Sequence, residues 1–186
     1  PEKVCLKDFT NIDQPILYTY MELRSFADSI AFELTRRGVG IGDRVGVLLS
    51  QGIGCAASHI AIWKLGAISI PLFKLFGPDA LKMRLNDAEA KCVITDFEGS
   101  NSLLPNEFDR LIFDDIENTG EPFKTQSTKA DTPAVLIYTS GTTGSTKGAL
   151  HSQQILTGHL RGVSMSHNYL GHDRDCLWTP ADWAWI

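Results

Sequence analysis

The chain has 186 residues, of which 43% are hydrophobic and 21% charged, so it falls in the globular range and can bury one substantial core. Seventeen Lys and Arg against 22 Asp and Glu leave a net charge of −5, and no basic block or stripe stands out, which argues against a nucleic-acid partner. No apolar run approaches the ~20 residues of a membrane span, and the N-terminus lacks the basic-then-apolar pattern of a secretory signal, so the sequence predicts a soluble protein.

The first clear element is a helix. Thr19-Tyr20-Met21-Glu22 is a capping box that starts it at Tyr20, Leu23, Phe26, Ala27, Ile30, Ala31 and Leu34 form its apolar stripe, and Gly38 ends it. Residues Arg44 to Leu49 are rich in Val and Leu and are bounded by turn residues, which suits a short buried parallel strand. Helical spacing returns from Ile53 to Leu65, followed by an apolar strand over Ala67 to Leu72. Pro78 fits the first turn of a further helix running through Asn86, and Lys91 to Thr95 forms the next strand. Strands over Arg110 to Phe113 and Ala134 to Thr139 complete the set, with Asn118 to Pro133 as an exposed connection between them. Strands alternating with helices predict an α/β fold, a mainly parallel sheet with helices on both faces. Ligands of such sheets bind beyond the carboxyl ends of the strands.

Cys5, Cys55, Cys92 and Cys176 are scattered without a Cys-x-x-Cys pair, as expected of free thiols in a cytoplasmic protein. His151, His159, His167 and His172 cluster late, yet none of their spacings repeats a zinc or facial-triad arrangement, and no metal site is expected from them. His151 reads as a helix-face residue with a structural hydrogen bond, and Asp182 as a turn or cap residue. Asp114 and Asp115, adjacent on a strand, would point to opposite faces and read as surface rather than as a carboxylate dyad.

The richest segment is Tyr138-Thr139-Ser140-Gly141-Thr142-Thr143-Gly144-Ser145-Thr146-Lys147-Gly148, placed directly after the apolar strand. Gly141, Gly144 and Gly148 can take positive φ and let the backbone approach an anion as a concave nest of N–H groups. Hydroxyls from Ser140, Thr142, Thr143, Ser145 and Thr146 add donors, and Lys147 adds a point charge. The arrangement is that of a polyphosphate clamp. It is not a P-loop, because two residues separate Gly144 from Lys147 and Gly148 stands in the Ser/Thr place.

These eleven residues resemble the signature loop of the adenylate-forming superfamily, which includes acyl-CoA synthetases, luciferases and peptide-synthetase adenylation domains. The usual form is Tyr-Thr-Ser-Gly-Thr-Thr-Gly-x-Pro-Lys-Gly, and the chain departs from it where Thr146 replaces proline, which removes a fixed φ. Residues Tyr18 to Leu34, Gly42 to Val45, Trp63 to Ala67 and Pro71 to Phe73 look like the family's opening region in the expected order. Pro71 to Pro78 and Trp178 to Trp185 look like the acetyl- and medium-chain acyl-CoA synthetase branch. The family is much longer, so the resemblance implies that residues 1–186 are part of the large N-terminal AMP-binding domain, without the later AMP, ribose and catalytic-lysine elements. It therefore implies a piece that is inactive alone, holds no assignable catalytic residue, and self-associates through sheet surface left uncovered.

What the resemblance implies chemically is an acid–thiol ligase. A small-molecule carboxylic acid, acetate or medium-chain, attacks the α-phosphate of Mg-ATP, giving acyl-adenylate and pyrophosphate, and the thiol of coenzyme A then takes the acyl group. ATP, Mg2+ and coenzyme A are the expected cofactors and co-substrates. Donors must neutralise the β and γ oxygens as pyrophosphate leaves. The expected phosphate-binding set is Thr139, Ser140, Gly141, Thr142, Thr143, Gly144 and Lys147, with Lys147 either on phosphate or paired with an acidic residue that anchors the loop. Trp183 and Trp185 are candidates for an acyl or coenzyme A pocket wall, or for core residues. Two other readings stay open at this point: an adenylating enzyme that loads a carrier protein, and a non-catalytic nucleotide-binding module.

Overall fold

A computed structural model describes residues 1–139, 146–172 and 174–184. Strands β1 (Val4–Asp8) and β2 (Ile16–Thr19) form a small antiparallel sheet that leads into helix α1 (Tyr20–Arg36). The capping box is formed as expected: the Thr19 hydroxyl oxygen accepts from the Glu22 N–H at 3.2 Å, and Glu22 accepts from the Thr19 N–H at 2.7 Å. Two neighbouring bonds hold the Glu22 carboxyl below its ordinary range, the Thr19 backbone N–H first and the Thr19 hydroxyl second.

A six-stranded sheet follows in the order β6-β5-β3-β4-β7-β8, made of β3 (Arg44–Leu48), β4 (Ile68–Pro71), β5 (Cys92–Thr95), β6 (Arg110–Ile112), β7 (Pro133–Thr139) and β8 (Lys147–Ser152). The first five in this spatial order, β6 to β7, are mutually parallel, and β8 is antiparallel to β7. Helices α1 and α2 (Ile53–Lys64) cover one face, where Ile30, Leu34, Ala57, Ala61 and Ile62 pack on Val45, Val47 and Ile94. Helix α3 (Pro78–Asp87) covers the other, where Leu81 and Leu85 pack on Leu48, Ile70 and Val93. The expected strands, β3 to β7, and helices α1 to α3 lie within a residue or two of their expected positions.

Several elements escaped the sequence reading: the β1–β2 sheet, the short helix α4 (Phe97–Ser100), β8, and helix α5 (Ile155–Ser166). One placement needs correction. Asp114 and Asp115 lie in a 3-10 turn after β6, not on the strand, although both are exposed as expected. The Asn118 to Pro133 connection is exposed over most of its length, as expected, and is tied to the helices it crosses. Asn118 accepts from the Ser25 hydroxyl at 2.5 Å, Phe123 stacks edge-on to Phe32 at 5.0 Å, and the Gln126 N–H donates to the Lys64 carbonyl at 2.7 Å.

Strand β3 fixes α3 in two ways. Because β4 and β5 lie on either side of β3, the α3 connection must cross over β3, and it crosses at Gly46. A Cβ there would lie 3.0 Å from the side chains of Leu72 and Leu85 and 3.3 Å from Val93, so the absent side chain is what lets α3 sit this close. Arg44 then caps the end of α3: its Nε donates to the Ala88 carbonyl at 2.7 Å, and one Nη donates to the Glu89 carbonyl at 3.0 Å and the Glu89 carboxylate at 2.9 Å. Glu89 takes φ +47°, where glycine is usual, and the Ala90 N–H closes back onto Leu85 at 2.8 Å. Gly46→Ala is expected to destabilise the fold by about 1–3 kcal/mol, the range for overpacking a close-packed core. Urea unfolding would show this as a lower midpoint at unchanged slope, and an unchanged midpoint would contradict the packing.

Candidate active site

The glycine- and hydroxyl-rich segment joins β7 to β8 at the carboxyl end of β7, where an α/β sheet is expected to present its ligand. Of the expected phosphate-binding set, Thr139 and Lys147 are described: they are cross-strand partners, both exposed, that close the two stems of the hairpin. Ser140, Gly141, Thr142, Thr143 and Gly144 lie outside the described residues. Lys147 makes no ion pair among the described residues. It is the first residue of β8 rather than a loop residue.

Gly148 also differs from expectation. It is an extended strand residue without positive φ, and its lack of a side chain serves close packing instead. A Cβ on Gly148 would lie 3.0 Å from Leu136 and 3.4 Å from the ring of Tyr138, directly across the ladder. Thr146, which stands where the family pattern has proline, donates its hydroxyl to the Met83 sulfur at 3.0 Å. On the other stem, the Tyr138 phenol donates to the Asp87 carboxylate at 2.6 Å. Burial, reinforced by that carboxylate, pushes the Tyr138 phenol well above its ordinary range, so it remains a donor at any physiological pH. Asp87, with Arg44, Glu89, Leu136, Tyr138 and Gly148, lines an open groove of about 360 Å³ beside the hairpin.

Nearby at the carboxyl ends of β4 and β5, the Lys74 ammonium donates to Asp96 at 2.9 Å and to Glu98 at 2.5 Å. Burial works against its charge, but these two carboxylates hold the ammonium above its ordinary range. Asp96 also accepts from the Gly99 N–H at 2.6 Å, capping α4. Neither this cluster nor the Tyr138–Asp87 bond was found by reading the sequence, because each joins residues more than 20 positions apart.

The aromatic candidates divide. Trp183 is 38% exposed, and it lines neither the groove beside the hairpin nor the one along α1 that Met21, Arg24 and Asn118 border. Trp185 lies outside the described residues. Asp182 accepts from the Ala184 N–H at 2.7 Å, the turn role expected of it. His151 is on strand β8 opposite Val135, which corrects its reading as a helix-face histidine. Among the described residues no group of three or more His, Cys, Asp or Glu side chains could hold a metal ion. Also among them, no helix is long and apolar enough to cross a membrane.

The thiols can be ranked by environment. Burial, with the Asp182 charge adding to it, pushes Cys55 up to about 12, and burial does the same for Cys92, while Cys176 is exposed. Thiolate is the reactive form, so neither buried cysteine is a competent nucleophile at neutral pH. Alkylation at pH 8 followed by peptide mass mapping is expected to modify Cys176 rapidly and to leave Cys55 and Cys92 unmodified until the chain is denatured. Rapid labelling of Cys55 in the folded chain would contradict this.

Comparison with known proteins agrees with the fold. The AMP-binding enzyme family matches the chain over residues 1–186. An acetyl-coenzyme A synthetase from Xanthobacter autotrophicus is 30% identical over 206 aligned residues, covering 90% of this chain and 31% of that protein. Among solved structures, an acyl-CoA synthetase from Brucella canis superposes with a TM-score of 0.82 at 23% identity, over 99% of this chain and 36% of that one. A fatty acyl-adenylate ligase from L. pneumophila, in complex with acyl adenylate and pyrophosphate, superposes at 0.78 and 23% identity, over 90% of this chain and 30% of that one. The chain thus spans about a third of the length of the relatives it matches. With the family pattern running through the β7–β8 hairpin and the match extending from end to end, the chain belongs to the AMP-binding family of adenylate-forming enzymes.

Proposed function

We propose that this chain supplies the ATP-phosphate-binding part of an AMP-forming acyl-CoA synthetase, acting on acetate or a medium-chain carboxylic acid. The observation that carries the reading is the hairpin segment Thr139 to Lys147. A buried strand delivers a run of hydroxyl, glycine and lysine residues to the ligand-binding end of a parallel sheet, in a chain 30% identical to an acetyl-coenzyme A synthetase. In this reading Thr139, Ser140, Gly141, Thr142, Thr143, Gly144 and Lys147 hold the β and γ oxygens of ATP. Their donors offset the charge that builds on pyrophosphate as the carboxylate attacks the α-phosphorus, and attack by one anion on another is opposed without them. Magnesium enters with the nucleotide as part of the substrate, and coenzyme A accepts the acyl group in the second step. Trp183 and Trp185 are assigned to the wall of the acyl or pantetheine pocket, where rigid aromatic surface suits an apolar chain.

The reading is tested by carboxylate-dependent exchange of labelled pyrophosphate into ATP, across acids from acetate to octanoate, in the protein that carries this sequence. Exchange that requires a carboxylate is expected, and Thr143→Ala or Lys147→Ala is expected to lower it about 10²-fold, the usual cost of removing one preorganised donor. A folded protein that binds ATP yet exchanges pyrophosphate with none of these acids would overturn the synthetase reading and leave a nucleotide-binding module.

A further inference from the structure

Helix α3 grips both ends of the hairpin segment. Met83 and Asp87 are one helical turn apart and project from the same side of α3. Asp87 accepts from Tyr138 at 2.6 Å, and Met83 accepts from Thr146 at 3.0 Å. Tyr138 and Thr146 are the residues just outside Thr139 and just before Lys147, so one helix face touches the chain as it enters the segment and as it leaves. Gly148 brings the two stems into contact by seating its backbone on the Tyr138 ring. The bond to Asp87 is short and charge-assisted, the stronger class of hydrogen bond, whereas the sulfur contact is weak. Arg44 and Gly46 of β3 in turn hold α3 in place, so Asp87 is a fixed point and not a freely moving surface carboxylate.

We propose that Asp87 is a positioning residue for the nucleotide-phosphate segment: through Tyr138 it fixes where β7 ends, and so the direction in which the chain leaves the sheet at Thr139 and returns at Lys147. The functional half of this inference rests on the synthetase reading above, and the structural half stands without it. Asp87 touches no reacting atom and acts through the direction it gives the stem. Preorganised donors lose effect steeply when misdirected, so loosening this stem should weaken ATP recognition and leave carboxylate recognition alone.

The test compares Asp87→Ala, Asp87→Asn, Tyr138→Phe and the double variant Asp87→Ala/Tyr138→Phe by two readouts. The first is amide hydrogen exchange at the protected amides of the β7–β8 stems, in the protein that carries the sequence. Asp87→Ala and Tyr138→Phe are each expected to speed those amides about tenfold, with β3 and β5 unchanged, as befits loss of one hydrogen bond to a charged group. Asp87→Asn, whose amide oxygen still accepts from the phenol, should restore most of the protection, and the double variant should be no worse than either single one. The second readout is pyrophosphate exchange in the protein that carries the sequence, where KM for ATP should rise about tenfold in Asp87→Ala with KM for the carboxylate unchanged. Unchanged stem amides in Asp87→Ala would overturn the proposal, as would a uniform rise across all amides that Asp87→Asn fails to rescue, or equal rises in both KM values. If the unaltered protein shows no exchange reaction, the synthetase reading falls, while the amide rates still decide whether Asp87 positions the stem.

Discussion

Gly46 has no side chain, and the side chains that pack α3 onto the sheet occupy the space where one would be. That close approach decides the rest of the arrangement. With α3 drawn onto β3, Leu81 and Leu85 reach the core, Arg44 reaches the end of the helix, and the last turn of α3 comes within hydrogen-bond distance of β7, two strands away. A larger residue at position 46 would press on Leu72, Leu85 and Val93, and through Leu85 on the helix that carries Asp87. The strand at the centre of the sheet thus governs the geometry of a hairpin near its edge.

The hairpin shows how a family pattern is met by different local physics. A proline before Lys147 would fix one φ by covalent geometry. Here Thr146 takes that place and its hydroxyl reaches the Met83 sulfur, a contact that ties the stem to α3 instead of stiffening the backbone itself. The other stem relies on a phenol kept protonated by burial and by the carboxylate it donates to. Rigidity near a phosphate-binding segment is useful because donors aimed in advance cost no reorganisation when charge develops.

Much of this was legible in the residues. The capping box at Thr19 and Glu22, the valine-rich run from Arg44, and the helical spacing after Pro78 each place an element within a residue or two of where it lies, because local hydrogen bonding and period decide them. What was not legible depends on partners distant in sequence. Lys147 to Ser152 has no strong strand pattern of its own, with Leu150 57% exposed, and becomes a strand by pairing with β7. Helix α5 buries none of its residues, so its pattern at Leu156, Leu160 and Val163 had no core to point to. Gly148 was read as a flexible loop glycine and proves to be a packing glycine, a distinction that only the Tyr138 ring across the ladder makes visible. Asp87, the residue with most bearing on the hairpin, carries no local signal, since its partner is 51 positions away.

The most direct test of the account is a crystal structure of the protein that carries this sequence, bound to magnesium and a non-hydrolysable ATP analogue. The account predicts β and γ oxygens within about 3 Å of donors between Thr139 and Lys147, with the Tyr138–Asp87 bond intact beneath them. A nucleotide whose phosphates lie away from this segment, or a Tyr138 turned off Asp87 when the phosphates are bound, would contradict it.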